Sequence, residues 1–179
     1  MNAIKVGLLG LGTVGSGTFH VLRRNQEEIR GRAGRGIEIA MVWRRNTALA
    51  REIVGDAAQV VTDPREIIRN PEIEIVIETI GGCGIAKDLV LEAIAAGKHV
   101  VTANKALLAV HGSEIFAAAR AQGVTVAFEA AVAGGIPIIK ALREGLTANR
   151  IEWLAGIING TTNFILSEMR SKGLDFATV

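Results

Sequence analysis

Ile4-Lys5-Val6-Gly7-Leu8-Leu9-Gly10-Leu11-Gly12-Thr13-Val14-Gly15 is the stretch that decides the reading of this chain. Ile4 to Leu9 is a short apolar run, the pattern of a buried strand. Gly10, Gly12 and Gly15 then fall at the GxGxxG spacing, and a helix is expected from Thr13 to about Ile29. Each glycine answers a physical demand. Gly10 allows a tight turn, Gly12 lets the backbone approach a pyrophosphate, and Gly15 lets helix and strand pack closely. The helix N-terminus meets the anion with free N–H groups and the positive end of its dipole. Such a glycine triplet is weak alone, but a strand before it and a helix after it are the confirming context for a dinucleotide site. Thr13 and Val14 join the three glycines as candidate cofactor contacts.

Outward from this motif the chain alternates. Strands are expected at Ile37–Trp43, Val60–Val61, Ile73–Ile77, His99–Thr102 and Val124–Phe128. Helices are expected at Thr47–Val54 with Thr47 as N-cap, after Asp63-Pro64, at Ile85–Ala96 before Gly97, and at Ser113–Gln122 before Gly123. Strands separated by helices imply parallel pairing and right-handed crossovers. The fold class is α/β, a doubly wound Rossmann-type parallel sheet.

The alternation stops after Gly134-Gly135-Ile136-Pro137. A helix at Ile138–Leu146, an apolar β-rich run at Ile151–Ile158 and a helix at Thr162–Ser171 complete no βαβ unit. They read as the start of a second, α+β domain. The division is residues 1–136 for dinucleotide binding and 137–179 for the beginning of the second domain. Gly173 to Val179 give no closing signal, so the chain is expected to stop inside that domain.

Composition agrees. In 179 residues, 49% are hydrophobic, 4% aromatic and 21% charged, with 21 Gly and 3 Pro. Such a chain buries a core, which excludes wholesale disorder. The single cysteine, Cys83, excludes an intrachain disulfide framework and a cysteine-built zinc site, and a reducing cytoplasm is the expected compartment. The longest uncharged run, Val6–Leu22, is short for a membrane helix and broken by glycines. Residues 23–45 hold seven Arg and three Glu, without the basic–aromatic interleaving of a nucleic-acid module. No nucleic acid and no membrane are expected as partners. His20, His99 and His111 lack metal-ligand spacing.

Further candidate residues lie where strands should end, because ligands of open α/β sheets bind beyond the carboxyl ends of the strands. The second strand ends Trp43-Arg44-Arg45-Asn46, without the acid that would bond an NAD ribose. Arg44 and Arg45 match a 2′-phosphate, which makes NADP the expected cofactor with NAD as the alternative; a solvated basic loop is the bland reading. Glu78-Thr79-Ile80-Gly81-Gly82 and Thr102-Ala103-Asn104-Lys105 are placed to line the crevice, with Thr79, Ile80, Thr102 and Lys105 as contacts. Lys105 reaches a substrate oxygen or the nicotinamide amide, or is only a surface lysine. Glu129 before the small-residue loop Ala130–Pro137 suits a hard cation or merely a tight crossover. Asn159-Gly160-Thr161-Thr162-Asn163 binds a polar substrate, or caps a helix through Thr161 or Thr162.

Five segments in this order, Gly10–Gly15, Glu78–Gly82, Thr102–Lys105, Glu129–Pro137 and Gly156–Leu166, resemble the N-terminal part of homoserine dehydrogenases. The resemblance implies interconversion of L-homoserine and aspartate 4-semialdehyde with NAD or NADP, serving threonine, methionine and isoleucine synthesis. It implies that Lys105 lies beside nicotinamide and substrate, as a catalytic and cofactor-contacting residue. It implies a monovalent cation, usually sodium, on Glu129 and the carbonyls of Val132, Gly134 and Ile136. It puts Gly160 and Thr161 at the substrate side, and implies a homodimer joined through the second domain. The family's later acidic residues and second, proton-transferring lysine have no match after Phe164, so the chain is expected to hold only part of the active site. Two readings compete: a dinucleotide-binding module without catalysis, and another reductase of amino-acid metabolism such as an aspartate-semialdehyde dehydrogenase. The latter needs a nucleophilic Cys and an acid–base His.

Overall fold

A computed structural model describes residues 2–157 and 159–179. Its six strands are β1 (Ile4–Leu9), β2 (Ile37–Trp43), β3 (Gln59–Val61), β4 (Ile75–Glu78), β5 (His99–Thr102) and β6 (Val126–Ala127). Every pairing is parallel, in the order β3-β2-β1-β4-β5-β6. Strand order therefore reverses between β1 and β4, which opens a crevice beyond their carboxyl ends.

The helices are α1 (Thr13–Arg24), α2 (Gln26–Ala33), α3 (Thr47–Val54), α4 (Pro64–Arg69), α5 (Gly84–Ala95), α6 (Lys105–Gln122), α7 (Ile138–Lys140) and α8 (Gly160–Lys172). Two apolar clusters sandwich the sheet. One joins Val6, Leu8 and Val42 to Phe19 of α1 and to Ala50 and Val54 of α3. The other joins Leu9, Met41, Val76 and Val100 to α4, α5 and α6. In α5 the buried residues are Ala86, Leu89, Val90, Ala93 and Ile94, the stripe of a helix lying on a sheet. The register of β1 on β2 slips between Val6 and Gly7, which pair with Ile39 and Met41 and leave Ala40 as an extra residue. Beyond that bulge the sidedness of β2 inverts.

Several boundaries differ from the sequence reading. The first helix breaks at Asn25, where the Gln26 amide donates to the carbonyls of Leu22 and Ile37 and ties α2 to β2. Asn46, not Thr47, caps α3 by accepting from the Leu49 N–H at 3.1 Å. Helix α6 starts at Lys105, well before Ser113, because Asn104 caps it through the Leu107 N–H at 3.1 Å. Asp63 caps α4 as expected, in a reciprocal pair with Glu66.

The chain divides into two compact units, Met1–Ile139 and Lys140–Val179. In the second, the expected helix to Leu146 shrinks to α7, at the junction, followed by one π-helical turn at Ala141–Gly145. The expected β-rich run has no strand among residues 151–157, all of them exposed; Ile158 lies outside the described residues. A strand needs a ladder partner for its backbone groups, and none of the described strands pairs with this run. Asn159, rather than Thr161 or Thr162, caps α8, accepting from the Thr162 N–H at 2.8 Å.

Candidate functional site

The glycine loop lies at the switch point of the sheet. Gly10 has φ 98°, and a side chain there would meet the Thr79 carbonyl carbon at 2.7 Å. A Cβ on Gly15 would stand 2.0 Å from the Gly10 carbonyl oxygen. Both positions are closed to any larger residue. Gly12 differs, since nothing lies within 4 Å of where its Cβ would be. Gly12 is exposed, so the space it leaves opens to solvent.

Helices α3, α4, α6 and α8 all carry a side-chain N-cap, whereas α1, α2 and α5 begin on Gly12, Asn25 and Cys83 without one. Of these, α1 and α5 follow β1 and β4, the strands that flank the crevice. Neither has an acidic residue in its first turn. Thr13 and Val14 are exposed there, and the first amides of a helix have no partner within it and carry the positive end of its dipole.

The loop is held from two sides. The Gly10 N–H donates to the Trp43 carbonyl at 3.0 Å, and the Thr79 hydroxyl donates to the Gly10 carbonyl at 2.6 Å. Arg44 Nη1 donates to the Leu11 carbonyl at 2.6 Å. Arg44 is thus half-buried against the glycine loop, while Arg45 is exposed. The two arginines, equivalent in sequence, differ in placement.

Beyond β4 and β5 a buried polar network brings together Glu78, Thr102 and Asn104, of which the sequence singles out only Thr102 as a contact. Glu78 is 0% exposed. Its Oε2 accepts from the Thr102 hydroxyl at 2.6 Å, and its Oε1 from the N–H groups of Ile80 at 2.8 Å and Gly81 at 3.3 Å. Asn104 Nδ2 donates to the Gly82 carbonyl at 2.7 Å and to Glu78 at 3.4 Å. Lys105 is the next residue, the first of α6, exposed and in no ion pair among the described residues.

The loop after β6 closes on itself. Glu129 Oε1 accepts from the Ile139 N–H at 2.9 Å, and the Val132 N–H donates to the Glu129 carbonyl at 2.9 Å. Val132, Gly134 and Ile136 are exposed, and Ala133 takes a positive φ of 48°. No group of three or more His, Cys, Asp or Glu able to hold a metal ion occurs among the described residues. Gly160 and Thr161, in the second unit, are exposed at the start of α8. His99 is structural, its Nδ1 accepting from the Thr125 N–H at 3.0 Å.

Residues 10–129 match the family model of the homoserine dehydrogenase NAD-binding domain, and residues 137–179 match the homoserine dehydrogenase model. The chain belongs to the homoserine dehydrogenase family. It is 63% identical over 179 residues to the homoserine dehydrogenase of Pseudomonas aeruginosa and 59% identical to that of Neisseria gonorrhoeae. Each match covers 100% of this chain but 41% of the relative. Among solved structures, a homoserine dehydrogenase from Thiobacillus denitrificans superposes with TM-score 0.91 at 65% identity, over 99% of this chain and 41% of that one. The Staphylococcus aureus homoserine dehydrogenase gives 0.81 at 35% identity, over 99% of this chain and 41% of that chain. The chain thus spans about two fifths of the length of the homoserine dehydrogenases it matches. The fold is the Rossmann-type sheet expected, and the matched domain supports a nicotinamide dinucleotide as cofactor class. The aspartate-semialdehyde dehydrogenase alternative gives way to this family. No described helix is long and apolar enough to cross a membrane.

Proposed function

We propose that these residues form the cofactor-binding part of a cytoplasmic enzyme that interconverts L-homoserine and aspartate 4-semialdehyde in threonine, methionine and isoleucine synthesis. The observation that carries the reading is the glycine loop at the switch point, with the uncapped N-terminus of α1 behind it, in a chain matched by both family models. Gly10, Gly12, Thr13, Val14 and Gly15 take the pyrophosphate, and Thr79 and Ile80 line the crevice toward the nicotinamide; Thr102, expected as a contact, is buried behind them with its hydroxyl on Glu78 and acts only as a support. The bound dinucleotide supplies or accepts the hydride.

NADP is the preferred form in this reading. No acid stands at the end of β2, and the guanidinium of Arg44 spends only Nη1 on the Leu11 carbonyl. Its other donors remain for the 2′-phosphate, a bidentate partner that suits arginine. Arg45 is a secondary contact.

Lys105 sits past the end of β5, at the nicotinamide side. Reduction of an aldehyde builds negative charge on its oxygen. An ammonium there stabilises the transition state more than the ground state. Lys105 therefore has an electrostatic and positioning role, and Gly160 and Thr161 contribute to the substrate side. Glu129 with the carbonyls of Val132, Gly134 and Ile136 is proposed to hold sodium or another monovalent cation. The chemistry fits, since a carboxylate in a loop of small residues offers the oxygen ligands such an ion takes. The complete enzyme is proposed to be a homodimer.

Calorimetry of this chain with NADPH, and turnover of the full-length enzyme with homoserine and NADP, test the reading. Binding is expected in the parent and lost in Gly12→Val, with the melting temperature kept because nothing lies within 4 Å of the added Cβ. Equal affinity in the variant would overturn the pyrophosphate placement. Absence of homoserine-dependent NADP reduction in the full-length enzyme would overturn the activity.

A further inference from the structure

The buried carboxylate of Glu78 does no chemistry in the reading above, and its surroundings show what it is for. It ends β4, directly beside the crevice, and is wholly buried. It belongs to no ion pair among the described residues. A buried charge without a counter-ion persists only when hydrogen bonds replace its hydration. Glu78 gets them from four donors: the hydroxyl of Thr102, the N–H groups of Ile80 and Gly81, and the amide of Asn104.

These donors belong to two different strand ends. Ile80 and Gly81 form the loop after β4. Thr102 and Asn104 form the turn that leads from β5 into α6. Asn104 completes the circuit by donating to the Gly82 carbonyl and accepting from the Leu107 N–H. One carboxylate therefore fixes the loop and the first turn of α6 to each other, and Lys105 follows Asn104 directly. The glycine loop has supports of its own in Arg44 and Trp43, and is joined to the loop after β4 by the Thr79 hydroxyl.

We infer that Glu78 is a positioning residue that sets the nicotinamide half of the cofactor site, by locking loop 79–82 and Lys105 into one arrangement, and that it acts less on the adenosine half, which Arg44 and Trp43 also hold. The inference rests on the dinucleotide reading of the site. It explains why an ionisable side chain occupies a position where an apolar one would be cheaper to bury.

The test separates the two halves. NADPH and 2′-phospho-ADP-ribose, which lacks the nicotinamide, are titrated by calorimetry into the parent, Glu78→Ala and Glu78→Gln. Glu78→Ala leaves four donors without their acceptor, and is expected to weaken NADPH about tenfold or more. The fragment, held at the glycine loop, should stay within about twofold. Glu78→Gln keeps the Oε1 acceptor for Ile80, Gly81 and Asn104 but cannot accept from Thr102, so it should show a smaller loss of the same selectivity. If Glu78→Ala does not fold in a thermal melt, Glu78→Gln decides by the same criterion. Unchanged NADPH affinity, or a parallel loss of both ligands, overturns the assignment. A parent that binds neither ligand overturns the dinucleotide reading, and this inference falls with it.

Discussion

The two units of this chain are similarly apolar in sequence and opposite in burial. Residues 1–139 bury two continuous clusters on the two faces of one sheet. Residues 140–179 bury no residue among those described. Trp153 is 78% exposed, Ile157 78% and Phe164 58%. The contrast teaches that apolar content alone does not make a core. Six strands and the helices between them give every apolar face of the first unit something to pack on. One isolated helix, α8, and an unpaired apolar run give the second unit nothing equivalent within itself. Its ion pairs, Lys140 with Glu144 and Lys172 with Glu168, join neighbours one helical turn apart at the surface and add little.

The sharpest way to break this comparison is to separate the units. A chain ending at Ile139 should melt cooperatively, within a few degrees of the parent, and should keep NADPH binding. A peptide of residues 140–179 should show no cooperative melt by circular dichroism. A cooperative transition in the peptide would mean that its apolar residues do form a core.

A pair of leucines gives the next largest effect. Leu89 is fully buried in α5, so Leu89→Ala should cost about 2–5 kcal/mol in denaturant unfolding. Leu154 is 69% exposed, and Leu154→Ala should stay within about 0.5 kcal/mol. Equal costs would erase the distinction.

Within the first unit, the two arginines repeat the contrast on a smaller scale. Arg44→Ala should weaken NADP by about 1.5–3 kcal/mol, the worth of a charge-assisted contact, and NAD by much less. Arg45→Ala should have less effect on either. Calorimetry with both cofactors decides, and equal losses would reduce Arg44 to a support of the glycine loop.

The smallest effect is a pH slope. Lys98 is buried, its ammonium donating to the carbonyls of Asn70 and Ile73 at 2.8 Å each, and burial holds its pKa below the ordinary lysine value. The unfolded chain then keeps this proton to higher pH than the folded one. Stability should rise with pH as folded Lys98 deprotonates, up to the unfolded value of about 10.4. Urea midpoints across that window should slope upward in the parent and less so in Lys98→Met.

What the sequence determined by itself is local. The strands β1, β2 and β5 and the helix α3 lie at the boundaries their hydrophobic patterns predict, and the strand–glycine–helix context announces the site. Periodicity and turn chemistry act over a few residues, so a single chain displays them. Three helix caps are equally local and still differ from the sequence reading, two of them with the helix start. Asn46, Asn104 and Asn159 hold the N-caps, and asparagine caps at least as well as threonine. Tertiary structure decided the rest. The run at residues 151–157 has strand-like composition, but a strand exists only where another strand accepts its hydrogen bonds. The extra residue Ala40 in β2 inverts which side the following residues face, and puts Arg44 rather than Arg45 against the Leu11 carbonyl. Glu78 finds Thr102 and Asn104 across more than twenty residues of chain. No spacing rule reaches that far, because the parallel sheet, by laying β5 beside β4, makes those side chains neighbours.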